Sequence, residues 1–239
     1  MNVAMQLPAL QVVVPMLTAP VLVLLRDARL SWIGAFLASL MSFAIAAAMA
    51  GAVLNGETIS YAMGGWAAPY GIELRVDAMS AILLLVTTGA STMALLAGRE
   101  SLLKQVGESR QSLFYAAWLL ALAGLVGILV AGDAFNIFVF MEISSLATYI
   151  LVAGGPNRRA LPAVFKYLVI GTVGATFYLI GVGMVFMMTG TLNIADMEVR
   201  LPQVDATNLK VVAAGFITIG LALKAAIFPL HAWMPNAYT

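Results

Sequence analysis

Seven stretches of mostly apolar residues follow one another along the chain, separated by short polar breaks. Each has about the 20 residues needed to cross roughly 30 Å of hydrocarbon. They run over Val3–Leu25, Trp32–Leu54, Ala78–Ala97, Ser112–Ala131, Ala134–Ala153, Pro162–Met188 and Asn208–Phe228. This pattern predicts an all-α integral membrane protein of about seven transmembrane helices. No basic stretch precedes the first span and no small-residue cleavage site follows it, so it reads as a retained helix rather than a signal peptide. Only Gly132-Asp133 separates the fourth span from the fifth, which makes those two antiparallel neighbours. The longest break, residues 55–77, carries turn signals at Gly64-Gly65-Trp66 and Pro69-Tyr70-Gly71. Within it, Ile72, Leu74 and Val76 alternate with Glu73, Arg75 and Asp77, which predicts a short strand.

Composition removes the competing classes. Hydrophobic residues make up 62% of the chain and charged residues 10%, whereas soluble domains carry about 25% charged residues. The absence of cysteine excludes a disulfide, a thiolate metal site or an iron–sulfur cluster built from this chain. The single histidine, His231, cannot make a metal site by itself, and no cofactor is expected. A net charge of +1 gives no reason to expect a nucleic-acid partner.

The placement of the charges is more informative. The breaks after spans one, three and five hold Arg26, Arg29, Arg99, Lys104, Arg110, Arg158 and Arg159, while those after spans two, four and six hold Arg75, Arg200 and Lys210. Seven basic residues against three predict an N-terminus outside and a C-terminus in the cytoplasm of the cell (inner) membrane.

Ionisable groups inside spans are costly, and by default they mark pathways. Glu142 lies nine residues into the span that begins at Ala134, roughly 13 Å deep at about 1.5 Å per residue. Ser145 and Tyr149 share its helix face. A carboxylate there pairs with a cation or is protonated; it either carries ions or bonds a neighbouring helix. Lys224 sits inside the seventh span, five residues before Pro229, where a proline breaks or kinks a helix. Broken membrane helices are tolerated where they line a hydrated cavity. The competing reading of Lys224 is a side chain that snorkels to the cytoplasmic interface. Lys166, about one turn into the sixth span, has the same two readings. His231, just past Pro229, either extends a proton path or sits at the interface. Asp133 reads as the N-cap of the fifth helix or as a group that admits ions to the path. Gly171, Gly174, Gly181 and Gly183 suit close helix packing.

The run from Gly132 to Leu146, GDAFNIFVFMEISSL, resembles the fifth-helix signature of the antiporter-like membrane subunits of respiratory complex I, membrane-bound hydrogenases and Mrp-type cation/proton antiporters. The run from Lys224 to Pro235, KAAIFPLHAWMP, resembles the broken seventh helix of that family. Thr189-Gly190-Thr191-Leu192-Asn193-Ile194-Ala195-Asp196, and Gly64-Gly65-Trp66 with Gly71-Ile72 and Asp77, are similar to the D-type subunits of the Mrp antiporters.

The resemblance implies an inverted-repeat fold with a broken helix in each repeat. It implies translocation of protons, or their exchange for a monovalent cation such as sodium, around Glu142 and Lys224. Lys166 would match a lysine found early in helix six, and Pro229 would mark the break. Residues 1–111 would form helices one to three with the outer loop 55–77, and residues 112–239 an incomplete first repeat. Family members are about twice this length and carry a second repeat. The expected partners are therefore other membrane subunits, including one that supplies the missing half, and the chain is not expected to transport alone. A split gene product, a truncated subunit and a fragment all fit the length. Two other functions remain open on the sequence: a proton-pumping subunit of a complex I or hydrogenase-type enzyme, and a membrane scaffold that moves nothing. The isolated chain itself is not expected to be an enzyme.

Overall fold

The computed structural model describes residues 6–54, 56–155 and 160–238. Val3 at the start of the first predicted span, Asn55, and Arg158 and Arg159 of the fifth connection lie outside the described residues. The helices are α1 (Leu7–Leu25), α2 (Ala28–Val53), α3 (Ala78–Ala97), α4 (Arg99–Gln105), α5 (Glu108–Val130), α6 (Ala134–Ala153), α7 (Ala160–Thr189), α8 (Ile194–Arg200), α9 (Thr207–Lys224) and α10 (Met234–Tyr238). Seven of them, all but α4, α8 and α10, are long and apolar enough to cross a membrane.

Side-chain oxygen acceptors start several helices. Asp27, Asp77, Asp133 and Asn193 stand in extended conformation at the N-caps of α2, α3, α6 and α8. Their side chains accept the N–H of Leu30, Ser80, Asn136 and Asp196 at 2.8, 2.8, 2.9 and 3.1 Å. Each bond satisfies one donor that a helix start otherwise leaves unpaired. For Asp77 these N–H bonds outweigh burial and hold the carboxyl below its ordinary range.

The predicted strand is present as β2 (Glu73–Val76), with Leu74 and Val76 buried. It pairs antiparallel with β1 (Ile59–Ala62), which sequence reading did not find. The reason is local: β1 is four residues long, and its alternation is a single exposed Ser60 between Ile59 and Tyr61, which are only partly buried against the first bundle. The ladder continues beyond the hairpin. Leu74 bridges Ala131, Asp133 bridges Asn193, and the Gly132 N–H donates to the Glu73 carbonyl at 2.9 Å. The tight α5–α6 turn thus becomes a rung between the hairpin and the α7–α8 turn, and this layer covers one end of the bundle.

Two apolar clusters lie beneath it. One joins α1, α2, α3 and α5 with β2; the other joins α6, α7 and the turn after α7. Hydroxyls tie the first bundle across helices: Ser31 to Ser112 at 2.9 Å, Ser39 to Ser91 at 3.0 Å, and the Trp118 indole to Ser91 at 2.9 Å. Such bonds replace a hydrophobic drive that lipid does not supply.

The seventh span ends earlier than the sequence predicts. It stops at Lys224, not Phe228. The Ile227 N–H donates to the Ala222 carbonyl and the Ala226 N–H to the Leu223 carbonyl, while Ala226 takes the left-handed conformation at φ 51°. This is a Schellman closure with alanine where glycine is usual. Pro229 acts from beyond it: a helix running through that proline would lose the bond to the Ala225 carbonyl and clash with it.

Candidate functional site

Close contact between helices fixes the site. A methyl on Gly124 of α5 would lie 2.5 Å from the Ser144 nitrogen of α6. On the other side, a methyl on Gly220 of α9 would meet the Tyr178 nitrogen at 2.6 Å and the Gly174 carbonyl of α7 at 2.7 Å. Gly174 and Gly181 of α7 face atoms of α9 just as closely, and Gly171 faces the Tyr149 hydroxyl of α6, whereas Gly183 faces open space. Helix α6 is therefore held against α5, and α9 against α7.

This packing brings Glu142 and Lys224 together. The Lys224 Nζ donates to Glu142 Oε1 at 2.9 Å and to Ser145 Oγ at 2.7 Å. The two charged side chains are 12% and 25% exposed for Lys224 and Glu142 respectively. The Ser145 hydroxyl in turn donates to the Met141 carbonyl at 2.7 Å. Since Glu142 is in the middle of α6 and Lys224 is the last residue of α9, α9 ends at mid-depth of its neighbour. The ammonium also sits at the negative end of its own helix, which favours the cation. Lys224 reaches toward α6, so snorkelling to an interface does not describe it.

After the break the chain returns to α7. The Trp233 indole donates to the Leu223 carbonyl at 2.9 Å and stacks on Tyr167 at 4.2 Å. Tyr167 meets Tyr149 of α6 edge-on at 4.6 Å. Sequence reading missed this aromatic wall. Its members come from three elements, and only Tyr149 carried a spacing signal, through its face shared with Glu142.

Among the described residues, the hydrogen bonds and ion pair of the site join Lys224, Glu142 and Ser145 and include none of the other candidates. Lys166 is exposed on α7 and makes no ion pair with Glu142 among the described residues. His231 is half-buried beside Phe228, 5.4 Å between rings, and its Nδ1 is buried with no hydrogen-bond partner. Pro229 lies in the irregular segment between α9 and α10. Asp133 caps α6, and its burial raises the carboxyl above the usual range, against the lowering pull of the Asn136 and Phe135 N–H groups. Nearby, the Tyr178 hydroxyl donates to the Ala134 carbonyl at 3.0 Å. No cluster of three or more histidines, cysteines or carboxylates able to hold a metal ion occurs among the described residues.

Chemically, the pair has two states. As carboxylate and ammonium, each favours the other's charge. If the ammonium proton leaves, or the lysine withdraws, Glu142 must take a proton or a cation instead, because an unpaired buried charge is expensive. The arrangement can exchange one positive charge for another at mid-depth.

Comparison with known proteins adds the lineage. Residues 131–239 match the family model described as NADH:quinone oxidoreductase/Mrp antiporter, TM. The chain is 42% identical over 98% of its length to the N subunit of NADH-quinone oxidoreductase from Desulforudis audaxviator, covering 47% of that protein. It is 33% identical over 96% of its length to the D-type subunit of the Na(+)/H(+) antiporter from Bacillus subtilis, covering 46% of that protein. The chain thus spans about half the length of the curated relatives it matches. Among solved structures, a chain of an archaeal membrane-bound sulfane sulfur reductase superposes with TM-score 0.87 at 31% identity, covering 98% of this chain and 47% of that one. A chain of the Mrp complex from Dietzia sp. superposes with TM-score 0.86 at 30% identity, covering 100% of this chain and 44% of that one.

Proposed function

This chain belongs to the NADH:quinone oxidoreductase/Mrp antiporter membrane family, and on that premise we propose that it is a proton- and monovalent-cation-translocating subunit of a multisubunit Mrp-like antiporter complex. The observation that carries the reading is the 2.9 Å pair of Lys224 and Glu142 at the point where α9 breaks. Sodium is the cation this reading assigns, and its partners are other membrane subunits. The N-terminus lies outside and the C-terminus in the cytoplasm, on the seven-to-three excess of basic residues in the breaks after odd-numbered spans. Residues 112–239 act as part of a first antiporter repeat, residues 1–111 as the helices that flank it. Lys166, His231 and Asp133 serve the approaches to the pair rather than the exchange itself.

The test is cation-driven proton flux in membrane vesicles that contain the assembled complex. Glu142→Gln and Lys224→Ala each abolish flux while assembly persists. Normal flux in either variant refutes the role given to that residue.

A second reading has its own support. The 42% identity to an N subunit of NADH-quinone oxidoreductase favours a proton-pumping membrane subunit of a redox-driven complex. The two readings separate on what drives the flux: a sodium gradient in the first, electron transfer in partner subunits in the second.

A further inference from the structure

The Lys224 ammonium carries three donors, and two are placed, on Glu142 and on Ser145. One turn beyond Ser145 on the same face of α6 stands Tyr149. Tyr149 is buried at 6% exposure. Its hydroxyl completes no hydrogen bond of good geometry: Ser145 stands within hydrogen-bonding reach, but the Ser145 proton goes to the Met141 carbonyl, and Glu142 acts on the hydroxyl only through its charge. Buried polar groups without partners are rare in native structures and each calls for an explanation. Packing explains the ring: it is held edge-on by Tyr167, which Trp233 covers. Packing does not explain the hydroxyl. The hydroxyl lies in a slot that exists because residue 171 of α7 is glycine; a methyl there would come within 2.3 Å of it. A phenylalanine would fill the apolar wall equally well without burying an unsatisfied oxygen.

An unfilled donor of Lys224 on α9 thus meets the face of α6 that carries the Tyr149 oxygen one turn beyond Ser145. A tyrosine in a helix leans back toward the preceding turn, which here is Ser145. Resting on the transport reading above, we propose that the Tyr149 hydroxyl is the second docking point of the Lys224 ammonium, taken up when the lysine leaves Glu142 to a proton or a cation. The lysine stem is flexible and its head is a compact charge with rotatable donors. In this step no covalent bond changes on the lysine: its hydrogen bond to Glu142 Oε1 is exchanged for one to the Tyr149 oxygen, and the incoming proton or cation neutralises Glu142. Tyr149 is a positioning residue, since it acts through Lys224.

Two variants test this in vesicles of the assembled complex. Tyr149→Phe removes one oxygen and keeps the ring. Flux falls roughly tenfold or more, the scale of a lost hydrogen bond to a charged group, while assembly is unchanged. A purely structural Tyr149 would leave flux at the wild-type level, and that result overturns the proposal. Gly171→Ala places its methyl on the hydroxyl and reduces assembly. Tyr149→Phe combined with Gly171→Ala relieves the clash, so assembly returns while flux stays low; restored flux in the double variant also overturns the proposal. If the double variant does not assemble, Tyr149→Phe alone decides. Glu142→Gln and Lys224→Ala run alongside. If they too transport normally, the transport reading itself fails; if they are dead and Tyr149→Phe is active, only the docking role fails.

Discussion

Lys224 and Glu142 meet at 2.9 Å although 82 positions separate them in the chain. Glu142 is the only charged residue of α6, and both side chains of the pair are less than one-third exposed. Removing one partner of such a pair leaves the other charge uncompensated, which costs more than removing both. The expected result is a positive coupling in a double-mutant cycle. Glu142→Gln and Lys224→Met each lower the thermal unfolding midpoint of the detergent-solubilised complex, and the double variant is more stable than the sum of the singles predicts, by at least about 1 kcal/mol. Additive losses would show that the two side chains do not share one electrostatic site.

The orientation reading has a clean chemical test, because the chain has no cysteine. A single cysteine at Lys104, in the α4 segment, should react with a membrane-impermeant maleimide only after the membrane is opened. One at Glu198, in α8, should react in intact cells. The reverse pattern would invert the topology argued from the basic residues.

The sequence made the spans and the charged pair legible for one reason: in lipid, a polar atom in an apolar run is expensive enough to stand out. Glu142 was legible from its depth in the span, and Lys224 from its depth and its place before the break at Pro229. What stayed hidden depends on contacts between distant segments. Strand β1 is too short for its one alternation, Ser60 between Ile59 and Tyr61, to stand out, and the Gly132–Glu73 and Asn193–Glu73 hydrogen bonds that fasten the end layer, at 2.9 and 2.7 Å, join residues with no shared pattern. The helix stop was misplaced because the usual signal, a glycine at the left-handed position, is absent; Ala226 occupies it, so Pro229 drew the boundary four residues late. Lys166, which the sequence left between a pathway and an interface reading, is exposed on α7 and makes no ion pair with Glu142 among the described residues.

Asp133 links the end layer to α6, and its ionisation should register in stability. Burial raises its folded carboxyl above the ordinary 3.8. A raised carboxyl means the folded state holds its proton more tightly than the unfolded chain, so the stability it contributes is present at low pH and falls as pH rises through the folded value. Asp133→Asn keeps an acceptor for the Asn136 N–H and removes this dependence. Near neutral pH the asparagine variant should match or exceed the wild type in unfolding midpoint, and its advantage should shrink as the solution is acidified toward the ordinary carboxyl value. Asp133→Ala, which loses both the titrating group and the cap, should lie about 1 kcal/mol below Asp133→Asn at every pH. A wild type that gains on the asparagine variant as pH rises would contradict the direction assigned to Asp133.

The contact of α7 with α9 sets where Lys224 stands, and two glycines of α9 separate that effect from composition. A methyl at Gly220 would lie 2.6 Å from the Tyr178 nitrogen and 2.7 Å from the Gly174 carbonyl, both backbone atoms that cannot rotate away. A methyl at Gly215 meets nothing within 4 Å. Both changes raise helix propensity by about 1 kcal/mol, so propensity predicts that both are benign. Packing predicts otherwise. Gly220→Ala must push α9 off α7, and because Lys224 lies one turn further along the same helix, the ammonium moves with it. The expected outcome is that Gly215→Ala retains full expression, assembly and flux. Gly220→Ala should lose at least roughly 1–3 kcal/mol of stability, the usual cost of overpacking, and should lose flux even in the fraction that assembles. Measuring complex yield by size-exclusion chromatography and flux per assembled complex separates the two effects. Equal behaviour of the two alanine variants would mean that the close α7–α9 approach does not position Lys224.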